Sequence, residues 1–140
     1  MRNDIRFKRL EKAKYAGLSR DFAAAYSLLD DLLVQDSRDV EALRLYGNLY
    51  EMEAFGISSP SEARMLLKSA RRHYRRILDI DAGNLYALFD MAEQMLHFER
   101  FRFAARFYEA FLESHHERKP DGYDDEVSQV REWLAAHSSL

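Results

Sequence analysis

The chain contains no cysteine, and it has only 2 Pro and 5 Gly in 140 residues. Without cysteine it can form neither a disulfide scaffold nor a zinc ribbon, and thiol chemistry is excluded. Scarce glycine also argues against a phosphate-cradling loop. No stretch approaches the ~18 consecutive apolar residues that a membrane span needs. We therefore expect a cytoplasmic chain with no membrane span.

The residues that are present favour a single helix-rich domain. Hydrophobic residues make up 47% of the chain and charged residues 32%, which is typical of a soluble globular protein. A folded chain of this length buries roughly 68% of its unfolded surface, so a core can form without a metal or a disulfide. The sequence predicts an all-α fold over residues 1–140.

Charge is distributed in blocks along the chain. Residues 1–20 sum to +5, residues 21–62 to −7, residues 63–78 to +6 and residues 79–140 to −7, against a net charge of −3. Blocks of this kind can steer a partner or set how two copies meet, because local potential dominates within about 8–10 Å. Solvated helix faces are the alternative interpretation.

A pattern of large and small residues recurs around two small residues, Gly47 and Ala92. The two copies read Leu43-x2-Tyr46-Gly47-x2-Tyr50 and Leu88-x2-Met91-Ala92-x2-Met95. A degenerate copy is centred on Ala13, and each copy is followed by a small-x3-large pair that begins at Ala25, Ala70 or Ala104.

The spacing of these small residues indicates a repeat. The positions of Ala13 and Gly47 differ by 34, as do those of Ala70 and Ala104. The step from Gly47 to Ala70 is 23, whereas the corresponding step in the first and third copies is 12. The middle copy therefore carries an 11-residue insertion, which we place near residues 55–60.

This pattern resembles the tetratricopeptide repeat, whose 34-residue unit carries W-x2-L-G-x2-Y in its first helix and A-x3-F in its second. The resemblance covers about residues 6–118, with repeats at about 6–39, 40–84 and 85–118. It implies an antiparallel helix-pair superhelix, an α-solenoid, closed by a capping helix at 122–137 that carries Trp133. Arg9 and Lys12 depart from the family pattern in the first copy, and its closing Pro is absent from all three.

Local signals predict about seven helices. Ser59-Pro60-Ser61-Glu62 is a capping box, and Pro at the first helical position favours a long helix from residue 60. Gly17 is expected to end the first helix in a left-handed conformation, and Ser19 to cap the second. We place helices near 4–17, 20–35, 39–54, 60–80, 84–98, 100–117 and 122–137.

The resemblance implies that the first helix of each pair lines a concave groove. Apolar surface and a few polar groups there would suit a peptide or a helix of another protein. Arg44 and Asn48 resemble part of a carboxylate clamp, although the negative charge of Glu93 would repel a terminal carboxylate. A groove without a cognate ligand is the alternative. The candidate groove residues are Leu10, Lys14, Arg44, Asn48, Tyr86, Phe89, Glu93 and His97.

Two further sets of residues are candidates for contacts. A run without any acid between residues 63 and 78 places a basic stripe on one helix face, for which a solvated face, a protein or self-contact, and an anionic polymer or lipid stay open. The acidic chain and the lack of a reading motif argue against nucleic acid. Phe103 and Phe107 are either covered by the capping helix or drive homodimerisation, together with Trp133. The stripe comprises Arg64, Lys68, Arg71, Arg72, Arg75 and Arg76.

No motif for catalysis is present, and we expect neither an enzyme nor a bound cofactor. A phosphate loop, a nucleophile elbow and a zinc-protease motif are all absent. A single Glu113-x-x-His116 is too little for a di-metal site. The prediction is a protein-binding adaptor or scaffold, similar in size to small three-repeat secretion chaperones. The alternatives are a self-assembling structural protein and a small secretion-type chaperone.

Overall fold

The computed structural model describes residues 2–140, with side chains from Asp4 onward. This part of the chain is all-helical, with 80% of residues in seven helices, which confirms the predicted fold class. Every predicted helix end lies within two residues of the observed one. The helices are α1 Arg2–Leu18, α2 Phe22–Gln35, α3 Val40–Phe55, α4 Pro60–Ile80, α5 Leu85–His97, α6 Phe101–Arg118 and α7 Asp124–Ala136.

Side-chain caps fix the start of three helices. Asp21, Asp39 and Asn84 precede α2, α3 and α5, and each accepts a hydrogen bond from the backbone N–H three residues on, at 3.2, 3.1 and 3.0 Å. The predicted cap at Ser59 accepts from the Glu62 N–H at 3.4 Å. The prediction that Ser19 caps α2 is wrong, because Asp21 does so.

The predicted left-handed end of α1 at Gly17 is also wrong. Gly17 lies buried inside α1, and the residue with positive φ is Arg20, at 63°. A Cβ at position 17 would overlap the side chain of Leu49. The glycine therefore serves the close approach of α3 to α1 and not a turn.

The chain divides into two compact units, Met1–Ile80 and Asp81–Leu140. In the first unit α2 packs against both α1 and α3, and α3 packs against α4. Its largest core cluster, drawn from α1, α2 and α3, contains Leu10, Ala13, Phe22, Ala25, Leu29, Leu32, Ala42, Tyr46 and Leu49.

The contacts between α1 and α3 join the start of one helix to the start of the other and the end of one to the end of the other. Arg6, near the start of α1, donates two hydrogen bonds of 2.8 and 2.9 Å to Asp39, the residue immediately before α3. Gly17, near the end of α1, lies against Leu49, and Arg20 lies beside Gly56 at the end of α3. The two helices are therefore parallel neighbours, each followed by a helix that returns the chain.

In the second unit α5 packs on α6 and α6 on α7. Tyr108 and Phe111 of α6 are fully buried. The end of α6 is tied to the loop before α5, because the Ser114 hydroxyl donates to the Gly83 carbonyl at 2.6 Å and Arg118 pairs with Asp81 at 2.6 Å. The ring of Trp133 in α7 lies 5.3 Å from that of Tyr108.

Equivalent turns recur at the predicted repeat spacing. Before α3 and before α5, Asp36 and Asp81 accept from the backbone N–H two residues on, at 2.9 and 3.2 Å. The positions of these two turns differ by one repeat unit plus the insertion. Glu99 repeats the left-handed conformation of Arg20, with φ of 58° and 63°, and both N–H groups bond to the carbonyl three residues earlier at 3.0 Å. The turn that connects α1 to α2 is therefore the same as the turn that connects α5 to α6.

The insertion lengthens the α3–α4 hairpin. We aligned the α3–α4 hairpin with the α5–α6 hairpin by placing Gly47 on Ala92 and Ala70 on Ala104. In this alignment α3 ends three residues later than α5, the loop is one residue longer, and α4 begins seven residues earlier than α6. Tyr74 and Asn48, which are hydrogen-bonded, are 26 residues apart, whereas the equivalent Tyr108 and Glu93 are 15 apart. Those two separations differ by the length of the insertion.

An aromatic cluster joins α2, α3 and α4. The rings of Tyr26, Tyr46 and Tyr50 lie 4.8 to 5.1 Å apart, and His73 stacks on Tyr46 at 4.6 Å. The His73 Nδ1–H donates to the Ser69 carbonyl at 2.8 Å. Burial lowers the pKa of His73 below its ordinary 6.5, and the charges of neighbouring arginines act in the same direction.

This lowered pKa predicts a pH-dependent stability. Because the unfolded chain binds a proton at His73 more readily than the folded chain, the free energy of unfolding is expected to fall as pH drops below 6.5. The loss is at most about 1.4 kcal/mol per pH unit. His73→Phe, which keeps an aromatic ring against Tyr46, should flatten this dependence. Urea unfolding of both proteins between pH 8 and pH 5 measures it, and parallel profiles would contradict the assignment.

Candidate protein-binding surface

The sides of α1 and α3 that face away from α2 form one surface in the first unit. Because α2 packs behind both of these parallel helices, their opposite faces point in the same direction. At about 100° per residue, Phe7, Lys14 and Leu18 fall within about 40° of one another on that face of α1. Asn48 and Phe55 fall on the corresponding face of α3. We call this the α1–α3 surface.

Three large apolar side chains on the α1–α3 surface are open to solvent. Phe7 is 61% exposed, Leu18 75% and Phe55 68%. Lys14 is exposed beside them and pairs with Glu11 at 3.2 Å. Sequence reasoning missed Phe55 because the family pattern does not extend into the insertion, where the lengthened α3 places it.

The prediction that Leu10 lines the groove is wrong. Its side chain is only 4% exposed and belongs to the core cluster of the first unit. Leu10 follows Arg6 by one helical turn, and Arg6 reaches Asp39, the cap of α3, and Glu41 in its first turn. The same side of α1 is therefore turned toward α3 and not toward solvent.

Arg44 and Asn48 of α3 are half-buried. The Tyr74 hydroxyl, on a fully buried ring, shares its single proton between Asn48 Oδ1, at 2.8 Å, and the Glu51 carboxylate. Asn48 consequently supports the contact between α3 and α4. A Cβ on the neighbouring Gly47 would lie 2.5 Å from the Tyr74 ring, so the glycine permits the close approach of this ring to α3.

Among the candidate residues of α5, Tyr86 contacts the residue before α7 and Phe89 contacts α6. Tyr86 is 44% exposed, with its ring 5.2 Å from Tyr123. Phe89 packs on Tyr108 and Phe111 at 6.1 and 5.7 Å. His97 is exposed, and its ring meets Phe98 edge-on at 5.1 Å. That this set and the α1–α3 surface line one groove remains a prediction.

Glu93 links all three helices of the second unit. It accepts from the Tyr108 hydroxyl at 2.6 Å and from Gln129 Nε2 at 3.0 Å. Burial raises the pKa of Tyr108, and the bond to Glu93 raises it further, so the phenol keeps its proton and donates. The geometry gives Glu93 a structural partner on α6 and another on α7.

A pocket of about 350 Å³ opens beside the start of α1 and is lined by Ile5, Arg6, Arg9, Leu32, Gln35, Asp36 and Asp39. Burial opposes the charge of Asp39, but the hydrogen bonds from Arg6 and the Ala42 amide lower the pKa of that carboxyl below its usual value. The ion pair therefore persists across the neutral range. No sequence motif marked this pocket.

The predicted self-association residues have different environments. Phe103 is 51% exposed, and the Arg106 guanidinium lies 5.7 Å from its ring centre. Phe107 is half-buried. Trp133 is also half-buried and stacks on His137 at 4.1 Å, as well as contacting Tyr108. The structure thus separates Phe103, which is open, from the other two.

The basic stripe lies on the side of α4 turned away from α3. Arg64, Lys68, Arg72 and Arg75 are exposed, and within residues 4–140 none of them has an ion-pair partner within 4.0 Å. Arg76 is exposed and donates to the Ser37 carbonyl at 2.7 Å, whereas Arg71 is half-buried. The predicted stripe is thus present as a continuous charged surface.

No protein-family model matches this chain, and no curated protein or solved structure matches it either. Over the residues that the structure describes, no helix is long and apolar enough to cross a membrane. In the same residues, no group of three or more His, Asp or Glu side chains is arranged to hold a metal ion.

The environment of Glu93 predicts that it stabilises the second unit. Glu93→Ala removes the acceptor of the buried Tyr108 hydroxyl, so we expect unfolding to become easier by about 1–3 kcal/mol. The matched control is His97→Ala, an exposed position on the same helix, for which a change within about 0.5 kcal/mol is expected. Urea unfolding compares the two, and equal effects would show that Glu93 has no such role.

Proposed function

We propose that this chain is a non-enzymatic adaptor that binds a peptide or a helix of another protein on the first helices of its helix pairs. The observation that carries the proposal is the α1–α3 surface, where Phe7, Leu18 and Phe55 are each more than 60% exposed. No catalytic step is part of the proposed function.

The chemistry of the α1–α3 surface supports a peptide ligand. Exposed large apolar residues that share a face are typical of interaction sites, because uncovered they favour aggregation. A few apolar anchors provide most of the affinity in protein interfaces, and polar neighbours fix orientation. Lys14 of α1 supplies such a polar neighbour, and so does Arg44 of α3, which falls within about 40° of Asn48 and Phe55 at about 100° per residue.

The repeat supports the same function. Its equivalent turns, its parallel α1 and α3 and its 34-residue spacing are all features of the tetratricopeptide resemblance, and members of that family bind peptides. A carboxylate clamp is not part of the proposal, since the Asn48 side chain is already engaged by Tyr74.

The proposal predicts which surface variant loses partners. Phe7→Ser with Leu18→Ser should remove proteins that the wild type captures from an extract of its own cells, because both anchors lie on the α1–α3 surface. The matched control is Val34→Ser, which replaces a residue 83% exposed on α2. Captured proteins are identified by mass spectrometry, and each variant is first checked for wild-type helicity.

The outcomes separate the proposal from its alternatives. A protein retained by the wild type and the Val34→Ser control, lost with the double variant, and then bound directly as a purified ligand would support the adaptor. Retention of the same proteins by all three, or recovery of the chain alone, would contradict it.

A further inference from the structure

We propose that two copies of this chain associate through opposite charges on their outer helices, with α4 of one copy antiparallel to α6 of the other. The inference goes beyond the proposed function and does not depend on it. It rests on two rows of like charge, one on each helix, that match in spacing.

The row on α4 is positive. Arg64, Lys68 and Arg72 follow one another at intervals of four residues, all of them exposed. Side chains four residues apart are neighbours on a helix surface, so like charges there repel each other. Arg76 follows at the same interval and donates to the Ser37 carbonyl at 2.7 Å. Asp79, exposed on the same face, then ends this charged face with a negative charge.

The row on α6 is negative and has the same spacing. Glu109, Glu113 and Glu117 are all exposed and again follow at intervals of four residues. Arg106 and Arg102 precede Glu109 on the same face of α6, and both are exposed. The face therefore begins with positive charge at Arg102. Each helix therefore carries repelling neighbours that a row of the opposite sign would neutralise.

An antiparallel alignment pairs three basic residues of α4 with the three acidic residues of α6 and leaves Arg76 opposite Ala105. When Lys68 is placed opposite Glu113, the same register places Arg72 opposite Glu109 and Arg64 opposite Glu117. It also brings Asp79 opposite Arg102, so the reversed charges at the two ends match as well. One like pair, Arg75 with Arg106, is left, and the Arg106 guanidinium is already held against the ring of Phe103.

The geometry of helix packing is compatible with this register. Rows of side chains spaced by four residues are the ridges that align in the commonest class of helix packing. From residue 64 to residue 72, and from 109 to 117, each row spans about 12 Å at about 1.5 Å per residue. The three paired positions thus span equal lengths on the two helices and carry opposite charges.

A second copy explains more of the surface than a polyanion does. Nucleic acid would engage only the α4 row, and it would be repelled by the α6 row and by a chain of net charge −3. A second copy uses both rows and both reversed ends. The occupant that we propose is therefore this chain itself.

Charge exchange provides the test. The first variant combines Lys68→Glu with Arg72→Glu, and the second combines Glu109→Lys with Glu113→Lys. Each alone places like charges opposite each other and should remain monomeric, whereas an equimolar mixture restores opposite charges and should associate into a species of higher mass. Sedimentation at low ionic strength measures the mass, and circular dichroism confirms that the variants fold.

Matched controls separate this register from general attraction. Lys8→Glu with Lys12→Glu changes the net charge as the first variant does, and Asp121→Lys with Glu132→Lys changes it as the second does. All four are exposed positions outside the proposed rows. Each control alone should associate like the wild type.

Salt dependence is the second measurement. Since the contact is made by exposed charges, we expect the wild-type dissociation constant to rise at least about tenfold between about 0.01 and about 0.15 M salt, as the Debye length shrinks from about 30 to about 8 Å. A monomeric wild type at low salt would overturn the proposal. So would variants that dimerise alone, a mixture that stays monomeric, or retention of DNA without self-association.

Discussion

The ion pair between Arg6 and Asp39 determines how the first unit is arranged. Asp39 is 6% exposed and has two roles, because it caps α3 through the Ala42 N–H and binds the Arg6 guanidinium of α1. The start of α1 is thereby fixed beside the start of α3. Gly17 then allows Leu49 to approach farther along, so the two helices stay parallel and α2 packs behind both. The position of Phe7, Leu18 and Phe55 on one surface depends on that alignment.

Much of the fold could be predicted from the sequence, because helix ends are determined locally. Small residues spaced by 34 and a capping box place seven helices to within two residues. The two helices of the degenerate first copy are connected by the same turn as those of the third copy. The turn is held by backbone hydrogen bonds at Arg20 and Glu99, which do not require the family's side chains. The insertion could be located by counting, whereas its effect on the lengths of α3 and α4 required the structure.

The candidate site could be predicted less well, because a position on a helix face does not determine what covers it. Leu10 is one of the residues that the family pattern places in the groove, but α3 packs against that side of α1. Asn48 and Glu93 occupy equivalent positions, and both bind the hydroxyl of a buried tyrosine, Tyr74 or Tyr108. A hydrogen bond between residues 26 or 15 positions apart leaves no local signal in a sequence. The exposed charges of α4 were predictable, since no acid lies between residues 63 and 78 to neutralise most of them.

The central claim is that Arg6 and Asp39 join α1 to α3, and a double-mutant cycle tests it most directly. Arg6→Ala, Asp39→Asn and the double variant are unfolded with urea, where asparagine retains the cap of α3 and removes only the charge. Because Asp39 is buried and Arg6 is 36% exposed, we expect a coupling free energy of at least about 1 kcal/mol, between the values of exposed pairs and buried charged hydrogen bonds. Additive effects, within about 0.3 kcal/mol, would contradict the account.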